Sequence, residues 1–356
     1  MHSLLFITGE LDYTNGVTSH LYNLISELQI NRQYGIMLLC TGGDSIPRFK
    51  DLKINVIEDI HFSHAHRSFV NFSIAIKRLV KLIFKYKIDI VHSHNHYAAN
   101  ISYYASRLTS AGTVQTNHGL IPDGGFLKHF KAHKIITVSR QIEKYILSNN
   151  LASSGNVKYI NQGYRFAGTI RKDINKNIKI ICASRLIYEK GVDVFIRAAK
   201  IVGGGFNDKV QFLVAGDGEY KDELMKLAKK TGVRIEFTGT VKDLPELFSE
   251  TNIFVMPSRS KSEGFPMTIV EAALTKNLII TSGFNTFEDI FKDGIDGYTF
   301  EVDNYEQLAK KLINALTNTE KAEQMTNHFY RKSKIIFDPE VMVDKHAEVY
   351  EKCLKR

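Results

Sequence analysis

Apolar runs of strand length recur along this chain, and each is followed by a loop and then by a helically spaced stretch. Residues 4–8 lead into a polar loop over 9–16 and a helical pattern through Val17, Leu21, Leu24, Ile25 and Leu28. Runs at 35–40, 54–57, 88–92, 112–118 and 134–138 continue the series. Between them lie a basic helix ending at 87, a helix over about 98–108, and one through Ile142, Tyr145 and Ile146 that Ser139 is placed to cap. Strands that alternate with helices need crossovers, so the pattern predicts a parallel sheet.

The pattern lapses over 163–177 and then restarts. Strands are expected at 178–183, 210–215, 234–237, 253–255 and 278–281, with helices clearest at 192–202 and 219–230, and helix to the end after 300. The expected fold is α/β, with two Rossmann-like, doubly wound parallel-sheet domains in tandem. They divide as an N-terminal domain over 1–165, a linker over 166–177, a C-terminal domain over 178–335, and a last helix over 336–356 that packs back toward the N-terminal domain. A chain of 356 residues suits two domains of ordinary size. Ligands of such sheets bind beyond the carboxyl ends of the strands, so the two carboxyl-end faces would line a shared cleft.

Composition removes several function classes. Hydrophobic residues make up 44% and charged residues 24%, as in a globular chain. No apolar run approaches the roughly 18 residues of a membrane span, and the N-terminus lacks the basic flank of a signal peptide. Cys40, Cys182 and Cys353 are far apart and form no CxxC pattern, which argues against structural zinc and for the cytoplasm. The formal net charge of +9 favours anionic partners. Nucleic acid is disfavoured, because no aromatic–basic RNA motif or recognition helix accompanies the charge. Over 76–87, Leu79, Leu82, Ile83 and Tyr86 fall at helical spacing among Lys77, Arg78, Lys81, Lys85 and Lys87. That is either a contact for the anionic inner face of the cytoplasmic membrane or a core-facing helix with a solvated lysine face.

Two carboxylates stand out. Glu263 and Glu271 are eight positions apart across Gly264-Phe265-Pro266, between an apolar run at 252–257 and a helix expected to have Pro266 as its first residue. Glu271 sits among Ile269, Val270, Ala272 and Ala273, where a carboxylate needs a partner if buried. A helix start also favours an anion. The pair suits a sugar–diphosphate–ribose ligand; the other reading is a cap at Glu263 and a solvated Glu271. Beyond the 178–183 strand, Arg185 and Lys190 bring two cations that could neutralise a diphosphate. Gly216-Asp217-Gly218 allows a tight turn, with Asp217 placed to cap the next helix. The small residues of 237–240 would let backbone approach a flat ring.

Arg185 with Lys190, Ala215-Gly216-Asp217-Gly218, Phe237-Thr238-Gly239 and Glu263-Gly264-Phe265-Pro266 with Glu271-Ala272 together resemble the retaining GT-B glycosyltransferases of the family-4 type. The resemblance is close over about 178–300 and looser in the first domain. It implies a hexosyltransferase (EC 2.4) that uses a UDP- or GDP-linked sugar donor, needs no cofactor, and acts on a glycan or lipid-linked acceptor in bacterial surface polysaccharide synthesis. It assigns Glu263, Gly264, Phe265, Pro266 and Met267 to the donor sugar, Thr268 to the donor, Glu271 to the ribose, and Arg185 and Lys190 to the diphosphate and to the charge on the leaving nucleotide. Thr116-Asn117-His118-Gly119 matches the histidine that meets the donor sugar. Asn15-Gly16 stands where the family commonly has a Gly-Gly pair, so Gly16 is assigned to the donor side and the turn there calls for a residue tolerant of positive φ. His92, His94 and His96 fall on one side of an extended strand, a metal reading that no carboxylate or cysteine completes; with no Asp-X-Asp pair, metal-independent transfer is expected. A nucleotide-sugar epimerase of similar architecture is the alternative among enzymes.

Overall fold

A computed structural model describes residues 2–31, 34–120, 130–172, 177–206, 209–260, 265–283 and 289–355. Two units divide the chain, one holding 1–163, 262–265 and 338–356, the other 164–261 and 266–337.

Among the described residues, the first unit is built on a seven-stranded sheet. Its strands are β1 (His2–Ile7), β2 (Tyr34–Cys40), β3 (Asn55–Glu58), β4 (Ile90–Ser93), β5 (Gly112–Asn117), β6 (Lys134–Thr137) and β7 (Val157–Tyr159), in the order β3-β2-β1-β4-β5-β6-β7. Every pairing is parallel. The connections carry α1 (Gly16–Asn31), α2 (Ile46–Asp51), α3 (Phe69–Tyr86), α4 (His96–Ser106) and α5 (Arg140–Ser148). Both faces are covered, which is why the strands read as continuous apolar runs. Leu4 and Phe6 enter one core cluster with Leu24 and Leu28 of α1. Leu5 and Ile7 enter another with Leu79 and Ile83 of α3. The alternation of side chains along β1 thus feeds two cores.

The second unit repeats the plan with β8 (Ile178–Ala183), β9 (Val210–Ala215), β10 (Ile235–Gly239), β11 (Ile253–Met256), β12 (Leu278–Ser282) and β13 (Gly297–Phe300). Their order is β10-β9-β8-β11-β12-β13, again all parallel. Its helices are α6 (Val192–Phe206), α7 (Lys221–Thr231), α8 (Leu244–Ser249), α9 (Met267–Leu274), α10 (Tyr305–Thr317) and α11 (Thr319–Ile336). The chain then returns to the first unit as α12 (Pro339–Leu354), whose Met342, Val343 and Tyr350 join the α1 core.

Several boundaries differ from expectation. The crossing between units lies at Gly163–Tyr164, before the expected linker. Tyr164 donates to Phe337 O, and the Arg171 backbone to Ser249 O, so residues bracketing the start of 166–177 are fixed to the second unit. The return crossing lies at Phe337–Asp338, where Asp338 caps α12. Strands β7 and β13 escaped the sequence pattern; β7 is three half-buried edge residues with no apolar run. Helix α3 begins at Phe69, capped by Ser68, about two turns before 76. Its Leu79 and Ile83 are buried, so the apolar face expected at a membrane packs into the core. Among the described residues no helix is long and apolar enough to cross a membrane.

In each sheet the strand order reverses once, between β1 and β4 and between β8 and β11. Successive crossovers depart in opposite directions there and leave a crevice beyond the strand ends, where ligands of open α/β sheets bind.

Candidate active site

The second unit's crevice is bounded by the loops after β8 and β11, and these are pressed together. Gly191 ends the short turn Tyr188–Lys190 with φ +65, and a Cβ there would lie 2.0 Å from Pro257 O. Only glycine allows that approach. Arg259 then staples the two loops. Its backbone donates to Glu189 O at 2.8 Å, and Nη1 donates to Tyr188 O at 2.7 Å. Its guanidinium makes a bidentate pair with Asp193 at 2.8 Å per bond, reaches Asp303 at 2.5 Å, and lies 4.3 Å over the Tyr188 ring. Burial opposes the Arg259 charge, but Asp193 and Asp303 more than offset it and hold the guanidinium ionised above its usual range. The loop carrying Arg185 and Lys190 is therefore fixed at its far end, with Arg185 exposed and Lys190 half-buried.

The β9 loop packs on the same side. Gly216 has φ +129, and a Cβ there would meet Ser184 O at 1.9 Å. Its N–H donates to Gly239 O at 2.8 Å, and Leu186 N–H donates to Asp217 O at 2.9 Å. Asp217 does not cap the next helix: its carboxylate accepts from Gly218 N–H and from Lys221, and α7 starts only at Lys221 after Tyr220. Among the described residues nothing lies within 4 Å of where a Cβ would go at Gly239, φ +70, which leaves room there for a flat ring beside its backbone.

Helix α9 follows the β11 loop. Pro266 is its cap residue in extended conformation, and Met267, not Pro266, is its first helical residue. Phe265 and Met267 are buried, while Pro266 and Thr268 are half-buried. Glu271 is only 6% exposed, so the reading of it as solvated on an outer face fails. Glu263 and Gly264 lie outside the described residues.

In the first unit, His118 follows β5 and His94 follows β4 at the order reversal. The His94 N–H donates to Ile7 O at 2.8 Å, which extends the β1–β4 ladder by one bond. The two rings stack, with His94 Nδ1 and His118 Nε2 3.0 Å apart. His20 from α1 packs edge-on against His118, and His346 from α12 stands 6.3 Å from His20. His92 lies behind, bonded through its two nitrogens to the Tyr350 and Thr116 hydroxyls at 2.8 Å each. The expected set of His92, His94 and His96 does not form. Strand β4 ends at Ser93 and His96 opens α4, so alternation no longer holds them on one side. Burial keeps the group neutral: it lowers His20 to about 4 against the Gln162 bond and His346 to about 3 against the Met342 bond, while burial and then repulsion from neighbouring histidines hold His92, His94 and His118 well below their ordinary value.

Gly16 opens α1, and a Cβ there would meet nothing within 4 Å among the described residues. Neither Asn15 nor Gly16 has positive φ. Asn15 instead accepts from Val17 N–H at 3.0 Å, so a side-chain turn replaces the left-handed residue expected there. Arg259, His20, Gln162 and His346 went unnoticed in the sequence; each sits in an ordinary loop or helix and acquires its partners only through folding.

Two family descriptions match the chain: Glycosyltransferase Family 4 over 14–165 and Glycosyl transferases group 1 over 169–332. An Escherichia coli protein named UDP-Gal:alpha-D-GlcNAc-diphosphoundecaprenol alpha-1,3-galactosyltransferase is 24% identical over 91% of this chain and 90% of its own. An E. coli O-antigen biosynthesis glycosyltransferase is 25% identical over 92% and 91%. A Campylobacter jejuni GalNAc-alpha-(1->4)-GalNAc-alpha-(1->3)-diNAcBac-PP-undecaprenol alpha-1,4-N-acetyl-D-galactosaminyltransferase matches at 26% over 44% of this chain, which spans 43% of that protein. Among solved structures, Anabaena Alr3699/HepE in complex with UDP and glucose superposes with TM-score 0.82 at 16% identity, covering 99% of this chain and 100% of its own. That likeness is one of fold.

Two outcomes follow from the geometry. Arg259→Lys keeps the charge but loses the bidentate pair, so the second unit should lose about 1–3 kcal/mol. Amide hydrogen exchange should quicken at 188–191 before it does in β8 or β9; unchanged protection there contradicts the staple. The buried histidines set a pH dependence. The unfolded chain takes up protons below about 6.5, whereas folded His20 accepts one only near 4 and folded His346 near 3. The unfolded state binds more protons in that window, so stability is present above pH 6.5 and is lost as pH falls toward 4. A thermal midpoint of the metal-free protein that stays level from pH 7 to pH 5 contradicts this.

Proposed function

Because the chain belongs to the family-4-type glycosyltransferases of the two-domain GT-B fold, we propose that it is a retaining hexosyltransferase acting on a nucleoside-diphosphate sugar and a lipid-linked glycan. The observation that carries the reading is the junction at β8 and β11. There the loop bearing Arg185 and Lys190 is bonded to the loop that leads to α9 and the buried Glu271. Arg185 and Lys190 neutralise the diphosphate, and the first N–H groups of α9, from Met267 and Thr268, turn a partial positive charge toward it. Glu271 binds the ribose hydroxyls, Glu263 positions the sugar with Gly264, Phe265 and Pro266, and His118 meets the sugar. Gly16 leaves the start of α1 open on the donor side.

The bond from the anomeric carbon to the diphosphate oxygen breaks as the acceptor oxygen bonds to the same face. The acceptor's proton passes to a diphosphate oxygen, so configuration is retained without a carboxylate nucleophile. Arg185 and Lys190 stabilise the charge that grows on the leaving group. The reaction needs no cofactor and no metal. A UDP- or GDP-sugar fits, and the donor named for the E. coli relative and the ligand named for the Anabaena structure favour testing UDP first. The diphosphoundecaprenol acceptor and the O-antigen role named for the relatives support a place in surface polysaccharide synthesis.

Work at the inner face of the cytoplasmic membrane rests on α3. Its solvent side carries Val70, Ile74, Lys77, Lys81, Phe84 and Lys85 at helical spacing, with Val70 67% and Phe84 65% exposed. Exposed apolar residues among lysines suit an anionic bilayer.

A thermal-shift screen of nucleoside diphosphates and their sugars, followed by transfer assays with a lipid-diphosphate glycan, tests the function. Stabilisation by one nucleotide and a further increment from its sugar are expected; no stabilisation by any of them rejects it. Glu263→Ala should abolish turnover with the fold intact. Glu271→Gln should raise the donor KM about tenfold with a smaller change in kcat, and an unchanged KM rejects the ribose role. Lys77, Lys81 and Lys85 changed together to Glu should cut binding to vesicles containing phosphatidylglycerol by more than tenfold, at about 1 kcal/mol per lysine. Vesicle binding that ignores anionic lipid rejects the α3 contact.

A further inference from the structure

His20, His94 and His118 each bring one ring nitrogen within 4.8 Å of the others. Gln162 fixes the state of His20. Its side-chain oxygen accepts from Nδ1, so Nδ1 carries the proton and Nε2 presents a lone pair. That Nε2 is buried and meets no hydrogen-bond partner among the described residues, and the same holds for His94 Nε2. Both residues are 3% exposed. A buried polar atom without a partner costs about 1–3 kcal/mol, and here two belong to rings 5.6 Å apart. His92 is unlike them, since Tyr350 and Thr116 take up both its nitrogens.

We propose that His20, His94 and His118 form a binding site for a divalent transition-metal ion of the zinc class. Three neutral imidazoles are a ligand set that such ions take, with the fourth position left to water or an anion. The bond from His20 to Gln162 is the outer contact that orients a ligating imidazole and leaves its other nitrogen bare. A tetrahedral site spaces its ligand nitrogens by about 3.4 Å, so rotation of the rings closes the set. Among the described residues no carboxylate belongs to the group, which disfavours magnesium and calcium. His118 is the least buried of the three and supplies the way in. The ion is not a requirement of the reaction. Resting on the reading of His118 as the residue that meets the donor sugar, its effect is inhibition: an ion held by His118 denies that side chain to the donor.

The test is a Co2+ titration of the metal-free 356-residue chain, followed by visible absorption. A saturating band at one equivalent, displaced by Zn2+, is expected. His20→Asn and His94→Asn should each weaken binding at least tenfold, and Gln162→Leu, which removes no ligand, by about 10–100-fold. Should a histidine variant fail to fold, Gln162→Leu decides. The site is overturned by the absence of saturable binding below about 1 mM, a weak affinity by ordinary standards for imidazole sites. It is equally overturned by affinity unchanged in these variants, which would place the ion on surface histidines such as His64 and His66. No sugar nucleotide is present, so a negative result leaves the transferase reading intact. Zn2+ that binds in this way yet leaves transfer at full rate supports the site and removes His118 from the donor.

Discussion

A parallel strand pair cannot be closed by a tight turn, and this constraint organises both units. Each strand is reached by a crossover, so helices cover both faces and all the strands of a sheet end on the same edge. The loops at that edge are free to vary, because the core is made elsewhere. Where the strand order reverses, neighbouring crossovers part, and the loops after β1 and β4, or after β8 and β11, border a crevice. Arg185, Lys190, Gly191 and Arg259 stand in the loops after β8 and β11, and His94 in the loop after β4.

The two crevices are built by different physics. In the second unit the loops approach through glycines that leave no room for a Cβ, at Gly191 and Gly216, and are tied by a partly buried arginine. The arrangement is stiff near the tie and leaves Arg185 outward. In the first unit the crevice floor is a packed group of imidazoles. Among the described residues their nitrogens are satisfied unevenly: fully for His92, in part for His20, His94 and His346. A fold that buries this many imidazoles holds them neutral, which suits them to ligate an ion or to face an uncharged sugar.

Helix α3 illustrates how one amphipathic pattern carries two different faces. Its apolar stripe at Leu79 and Ile83 belongs to the core, as a helix covering a sheet requires. The opposite side carries aliphatic and aromatic residues among lysines, where a purely solvated face would need only the charges. Periodicity alone finds the first stripe and leaves open whether it faces a membrane or the core; the fold assigns it to the core.

Much was legible in the sequence by itself. Both parallel sheets, the capping of α5 by Ser139 and the strand-end positions of Arg185, Lys190 and His118 follow from short-range pattern, because strand length, helix spacing and capping are local properties. The family motifs added roles for residues that pattern can place but not explain. Tertiary structure alone decided the rest. It buried Glu271, placed His96 in α4 rather than on the strand with His92, brought His20 and Gln162 from distant elements into one hydrogen bond, and gave Arg259 its two carboxylates. His20 and Gln162 are 142 positions apart and Arg259 and Asp193 are 66. No local periodicity encodes contacts of that separation; they exist only once the sheets have fixed which strand ends are neighbours.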